Sequence, residues 1–94
     1  GIFSGDSSTP VKIRLGNRSA SYLREDPWHP EQKLEPVDAD DPASDTILTV
    51  PASHPRELLP KVLALGSDAE VLEPAEYRQA VADVIEKLAQ TYNG

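Results

Sequence analysis

The last third of this 94-residue chain carries a long apolar stripe, and any fold it adopts must cover at least part of it. Tyr77, Val81, Val84, Ile85, Leu88 and Tyr92 fall on one face of a helix, recurring mainly at three- and four-residue spacings. Pro74 suits the first helical position. Glu73 and Glu76 sit at the positive end of the helix dipole and Lys87 toward its negative end. The spacing predicts a helix running to about Tyr92, ended by Asn93-Gly94, with residues 77–88 packed on the domain and the last turns near Tyr92 overhanging it. Everything upstream is shorter and must find its place against this stripe.

Four segments read as strands. Residues 11–15 alternate apolar and charged, with Val11, Ile13 and Leu15 facing inward. Residues 33–38 form a second strand with Leu34 and Val37 as its apolar positions, and Pro36 confines it to an edge or a bulge. Residues 46–50 are β-branched and well suited to a third strand, which Pro51 ends. Residues 69–73 form the fourth. Asn17 is the expected cap of a short helix over residues 18–25 that packs through Ala20, Tyr22 and Leu23 and must stop before Pro27. Ser53 or His54 caps a middle helix with Leu58, Leu59, Val62, Leu63 and Leu65 on its apolar face and Gly66 just past its end. Pro60 costs roughly 3 kcal/mol inside a helix, so this helix is either kinked or starts near Leu58, with Pro60 in its first turn. Without the last helix the order is βαββαβ, an α+β ferredoxin-like arrangement: a four-stranded antiparallel sheet with helices on one face and an added C-terminal helix. Residues 1–10 are a linker and 11–94 the domain. Ile2 and Phe3 on that linker suggest a piece of a longer protein, anchored to another domain or to a groove on this one.

Composition narrows the function. The length suits one small domain. Nine Lys and Arg face sixteen Asp and Glu, a net charge of −7, which argues against a phosphate-backbone binder with a basic face and leaves room for a small basic pocket. With no cysteine there is no disulfide or thiolate metal site, which fits a cytoplasmic protein. No apolar run is long enough to span a membrane.

Catalysis finds no support. His29 and His54 each lie beside a proline, without a glycine-bracketed serine or metal-ligand spacing. No enzyme, metal or cofactor is expected. Asp38, Asp40, Asp41 and Asp45 lack the glycine and terminal glutamate of a calcium loop and read as a solvated hairpin tip. Trp28, on a stiff proline-bracketed turn with His29, closes one end of the core or offers a stacking surface. Arg14, Arg18, Arg24, Arg56 and Arg78 are the main cations. Arg78 stands in the first turn of a helix, where a cation is disfavoured. It therefore calls for a specific acid, Glu73 or Asp68, or for an anion or partner contact.

In order and spacing, four pieces of the chain resemble the C-terminal extension domain, WCX, of the bacterial WYL-domain transcriptional regulators. They are FSGD at residues 3–6; residues 11–15 followed by Tyr22-Leu23-Arg24 and Trp28-His29-Pro30 with Gln32; residues 58–66; and residues 69–78 leading into a helix that ends in Tyr92. Together they cover residues 3–92. Pro60 and the long acidic loop depart from the usual pattern. The resemblance implies a regulatory module that helps the regulator dimerise and borders the effector pocket of a WYL domain in the same chain, with DNA bound through a helix-turn-helix domain. It implies nucleic-acid or other anionic effectors, with Arg24, Trp28, His29, Gln32 and Arg78 as ligand-binding residues. Tyr92 is the expected subunit contact. The alternatives are a ferredoxin-like small-molecule sensor and a plain protein-interaction module.

Overall fold

The computed structural model describes residues 9–52 and 55–94. The strictest alternation in the chain builds its central strand, β1 (Thr9–Leu15), whose Val11, Ile13 and Leu15 are fully buried. Then follow α1 (Asn17–Glu25), β2 (Lys33–Pro36), β3 (Thr46–Ala52), α2 (Leu59–Ala64), β4 (Ala69–Glu73) and α3 (Ala75–Asn93), with 3-10 turns at Pro55–Glu57 and Gly66–Asp68. The sheet is antiparallel, in the order β2-β3-β1-β4. The fold is thus α+β, with the ferredoxin-like βαββαβ order and an appended helix.

Register decides the two faces. Ile13 lies opposite Leu48 on β3 and Val71 on β4, so all three point to the helical side. There they join Ala20, Leu23, Val62, Tyr77 and Val81 in one core. α1 packs on β1 and β3, and α2 on β4. Arg14, opposite Ile47 and Glu70, points to the other face.

Several expectations hold for the physical reason given. Pro36 ends the edge strand β2, where a missing donor is harmless. Pro60 falls in the first turn of α2, where no helical carbonyl awaits its N–H, and the helix is unkinked at six residues. Gly66 follows α2 with φ +63°, the left-handed conformation that glycine adopts without steric cost.

Others are corrected. Gly16, not Asn17, precedes α1 as its cap residue, and the Asn17 amide instead donates to the Ala43 carbonyl (3.2 Å). Tyr22 is 53% exposed and contributes little to the core. β2 stops at Pro36, leaving Val37 exposed. Pro51 does not end β3; it pairs with Pro10 beyond the last β2 partner, Thr49, where β3 has only β1 beside it. Pro74 caps α3 rather than opening it. Ile2, Phe3, and the candidate caps Ser53 and His54, lie outside the described residues.

The long helix departs most from expectation. Only Tyr77 and Val81 of its stripe are buried; Ile85, Leu88 and Tyr92 are exposed. Lengths explain this. A helix of 19 residues spans about 28 Å at about 1.5 Å per residue, whereas a strand of five residues spans about 17 Å at about 3.3 Å per residue. α3 turns back along β4, with Val81 and Ile85 beside Ala69 and Glu70, and then outruns it.

Candidate functional site

The loop between α1 and β2 gathers four of the expected site residues. Gln32 organises it: its Oε1 accepts from the Trp28 N–H (2.9 Å) and its Nε2 donates to the Leu23 carbonyl (3.1 Å). The carboxamide thereby closes the loop onto the last turn of α1. His29 accepts from the Glu31 N–H through Nδ1 (3.0 Å), which turns Nε2 away from that turn. Trp28 is half-buried and packs on the core, with Lys61 Nζ 6.0 Å from its ring centroid, at the reach of a cation–π contact. Arg24 stands exposed in the last turn of α1, the helix end that favours a cation.

Trp28 borders a groove that runs between α1 and α2. One part, of about 270 Å³, is lined by Tyr22, Pro27, Trp28 and Lys61. The other, of about 690 Å³, reaches Arg18, Ser19 and Asp68. Tyr22, Ala64 and Leu65 line both, so the two are continuous. At the far end Asp68 caps α1 across the chain. Its carboxylate accepts from the Ser19 N–H (2.9 Å) and the Ser19 hydroxyl, and its carbonyl accepts from the Gly16 N–H (2.9 Å). The Ser19 hydroxyl and then the Ser19 N–H hold the Asp68 carboxyl below its usual range. Gly16 is required here because a Cβ would overlap the Asp68 carboxylate.

Arg78 sits apart from this groove. It donates to Glu70 (2.7 Å) and to the Val71 carbonyl on the edge strand β4 (2.8 Å). Its partner is therefore Glu70, not Glu73 or Asp68, and a carboxylate beside the first turn of α3 offsets the unfavourable placement. Arg14 bridges the same Glu70 (3.1 Å) and Asp45 (2.6 Å), which makes a chain Asp45–Arg14–Glu70–Arg78 across the open face of the sheet. Arg78, then Arg14, hold the Glu70 carboxyl below its usual range, and Asp45, then Glu70, raise the Arg14 guanidinium. The pairs are half-exposed, so each adds little stability. The chain of side chains joins the first turn of α3 to β4, β1 and the start of β3.

Among the described residues no group of carboxylates and imidazoles could hold a metal ion. The aspartates of residues 38–45 instead form turns: Asp38 accepts from the Asp40 N–H and Asp41 from the Ala43 N–H. No helix of the described residues is long and apolar enough to cross a membrane.

Sequence reasoning did not single out Glu70 or Lys61, read Asp45 only as part of a hairpin tip, and offered Asp68 only as a partner of Arg78. Arg14 lies 56 positions from Glu70 and 31 from Asp45, Ser19 lies 49 from Asp68, and Lys61 reaches a ring on another element, so no local pattern carries that information. Arg78 at a helix start was the one signal, and it indicated an acid without locating it.

Strand order and the appended helix define a ferredoxin-like α+β module with an open groove between two of its helices. The chain belongs to the WCX domain family, which matches residues 7–89. At the level of the family it is a domain of WYL-type regulators. No curated protein matches it.

Proposed function

We propose that this chain is the regulatory and dimerisation domain of a WYL-type helix-turn-helix transcriptional regulator of the bacterial cytoplasm, working by binding rather than by catalysis. Its partners are the WYL domain of the same chain, whose effector pocket it borders, and a second copy of the regulator; DNA is bound by the helix-turn-helix domain. The observation that carries this reading is the WCX match over residues 7–89. The exposed stripe of α3 supports the interaction half of it. The effector half falls on Arg24, Trp28 and His29, which bring a cation, an indole ring and an imidazole together beside one loop that Gln32 holds in shape. Arg78 is the weaker candidate, since an anion would have to displace Glu70 from it.

Two measurements test the reading. Light scattering on the chain should give a dimer in the micromolar range. In the full-length regulator, Arg24→Ala and Trp28→Ala should blunt the response to an anionic effector, with short single-stranded DNA as the probe. An unchanged response in both variants removes the loop from the effector site. A strict monomer with no anion binding leaves a plain interaction module.

A further inference from the structure

The two edges of the sheet are closed in different ways. The hydrogen-bond ladder fixes which backbone groups face outward, because the N–H and C=O of one residue point to the same side and the side alternates along a strand. On β2 the Val37 N–H donates to the Asp45 carbonyl (2.8 Å), one step beyond the Pro36–Thr46 pair. Val37, Glu35 and Lys33 therefore bond toward β3, and Leu34 and Pro36 face outward. On β4 the Gly16 N–H donates to the Asp68 carbonyl (2.9 Å), one step before the Leu15–Ala69 pair. Ala69 and Val71 therefore face outward.

The β4 edge is covered. Arg78 Nη1 donates to the outward Val71 carbonyl (2.8 Å), and Val81, Ala82 and Ile85 of α3 lie beside Ala69 and Val71. β2 has no such cover: Lys33, Glu35 and Pro36 are exposed, and no strand among the described residues pairs with its outer side. A proline stands there instead. Leu34 offers a donor and an acceptor outward, whereas Pro36 offers only its carbonyl.

We propose that Pro36 keeps β2 from taking a further strand, so that the sheet ends at four and a partner is met by side chains rather than by an added strand. The inference does not depend on the dimerisation reading. An open edge is a ready template for another chain, and the β2 of a second copy is the strand always present in solution. Each antiparallel register that pairs outward-facing residues is impaired. Leu34 against Leu34 completes one hydrogen-bonded pair, and the ladder stops at Pro36 on either side. Leu34 against Pro36 loses a bond in each of its pairs and sets Glu35 against Glu35, a like-charge pair that opposes association. Pro36 against Pro36 makes no hydrogen bond at all. An N–H at position 36 supplies the missing donor in every case.

Pro36→Val and Pro36→Thr both restore the donor on a β-forming residue, the second without the apolar surface of the first. Circular dichroism checks each fold, sedimentation compares each variant with the unmodified chain, and amide hydrogen exchange follows Leu34. Both variants should form larger assemblies than the unmodified chain at the same concentration, with the Leu34 N–H exchanging at least about tenfold more slowly in them. Unchanged assembly in both variants overturns the role of Pro36. Assembly raised in only one of them overturns it too, since the side chain rather than the donor is then responsible. So does raised assembly with Leu34 exchanging as in the unmodified chain, since the contact then lies elsewhere.

Discussion

α1 and the outer half of α3 are helices of similar length held in opposite ways. α1 is tied at both ends by residues outside it: Asp68 caps its start, and Gln32 donates through Nε2 to the Leu23 carbonyl at its end. Ser19, Ala20 and Leu23 bury its inner face. The outer half of α3 begins where Val81 leaves the core; Ile85, beside Ala69 and Glu70, and Leu88 are only half covered, and Tyr92 is 84% exposed. The stripe of α3 is the more regular in sequence, yet it is the less buried. Amphipathic spacing states that a helix has an apolar face; it does not state which surface receives it.

The comparison breaks or sharpens at defined positions. The largest effect is expected at the inner half of α3. Tyr77→Ala should destabilise the chain by about 3–5 kcal/mol, while Leu88→Ala should stay within about 0.5 kcal/mol in dilute solution, both measured by urea unfolding. Equal losses at the two positions would end the distinction between the halves.

Next comes the tie at the start of α1. Gly16→Ala forces a methyl onto the Asp68 carboxylate and should cost about 1–3 kcal/mol. In an Asp68→Ala background the same change should cost much less, because its obstacle is gone; additive losses would place the strain elsewhere.

A smaller effect of opposite sign is expected at Tyr77. Its hydroxyl is buried with no hydrogen-bond partner among the described residues. Tyr77→Phe should therefore stabilise the fold by about 1 kcal/mol. Burial also pushes the phenol up to about 12. A group whose pKa is raised on folding loses its contribution as pH climbs from its unfolded value, so stability should fall between about pH 10 and 12. Tyr77→Phe should flatten that limb, as followed by thermal melts across the range.

The smallest effect lies on the acid side. Asp68 and Glu70 titrate lower in the fold than in the unfolded chain. Their contribution is present above the ordinary carboxylate range and is lost as pH falls below about 4. Glu70→Gln should make the melting temperature less dependent on pH there. An unchanged acid slope would mean that the Arg14–Glu70–Arg78 chain is no stronger than its solvated parts.

Much of the architecture could be read from local pattern, since strands and helices announce themselves by periods of two and 3.6 residues. β4 was read with its observed bounds, β1 was extended by two residues, and Pro60 placed the start of α2. The loop 24–32 was also legible, because prolines bracket its only tryptophan. Its geometry was not. That Gln32 would bond to Trp28 and Leu23 rather than to a ligand depends on how α1 and β2 approach each other.

By itself, then, the sequence determined the number and kind of the main elements, the inward face of β1 and the restriction of β2 to an edge or a bulge. These follow from steric and solvation preferences that act over a few residues; the family was named from a resemblance in four pieces of the chain. Only the tertiary structure decided that Arg14 and Arg78 share Glu70, that Asp68 caps a helix 49 positions away from it, and that α3 buries Tyr77 and Val81 while leaving Ile85, Leu88 and Tyr92 exposed. Each of these depends on strand register, or on a helix being longer than the strand beside it. Both are settled only when the whole sheet closes around one core.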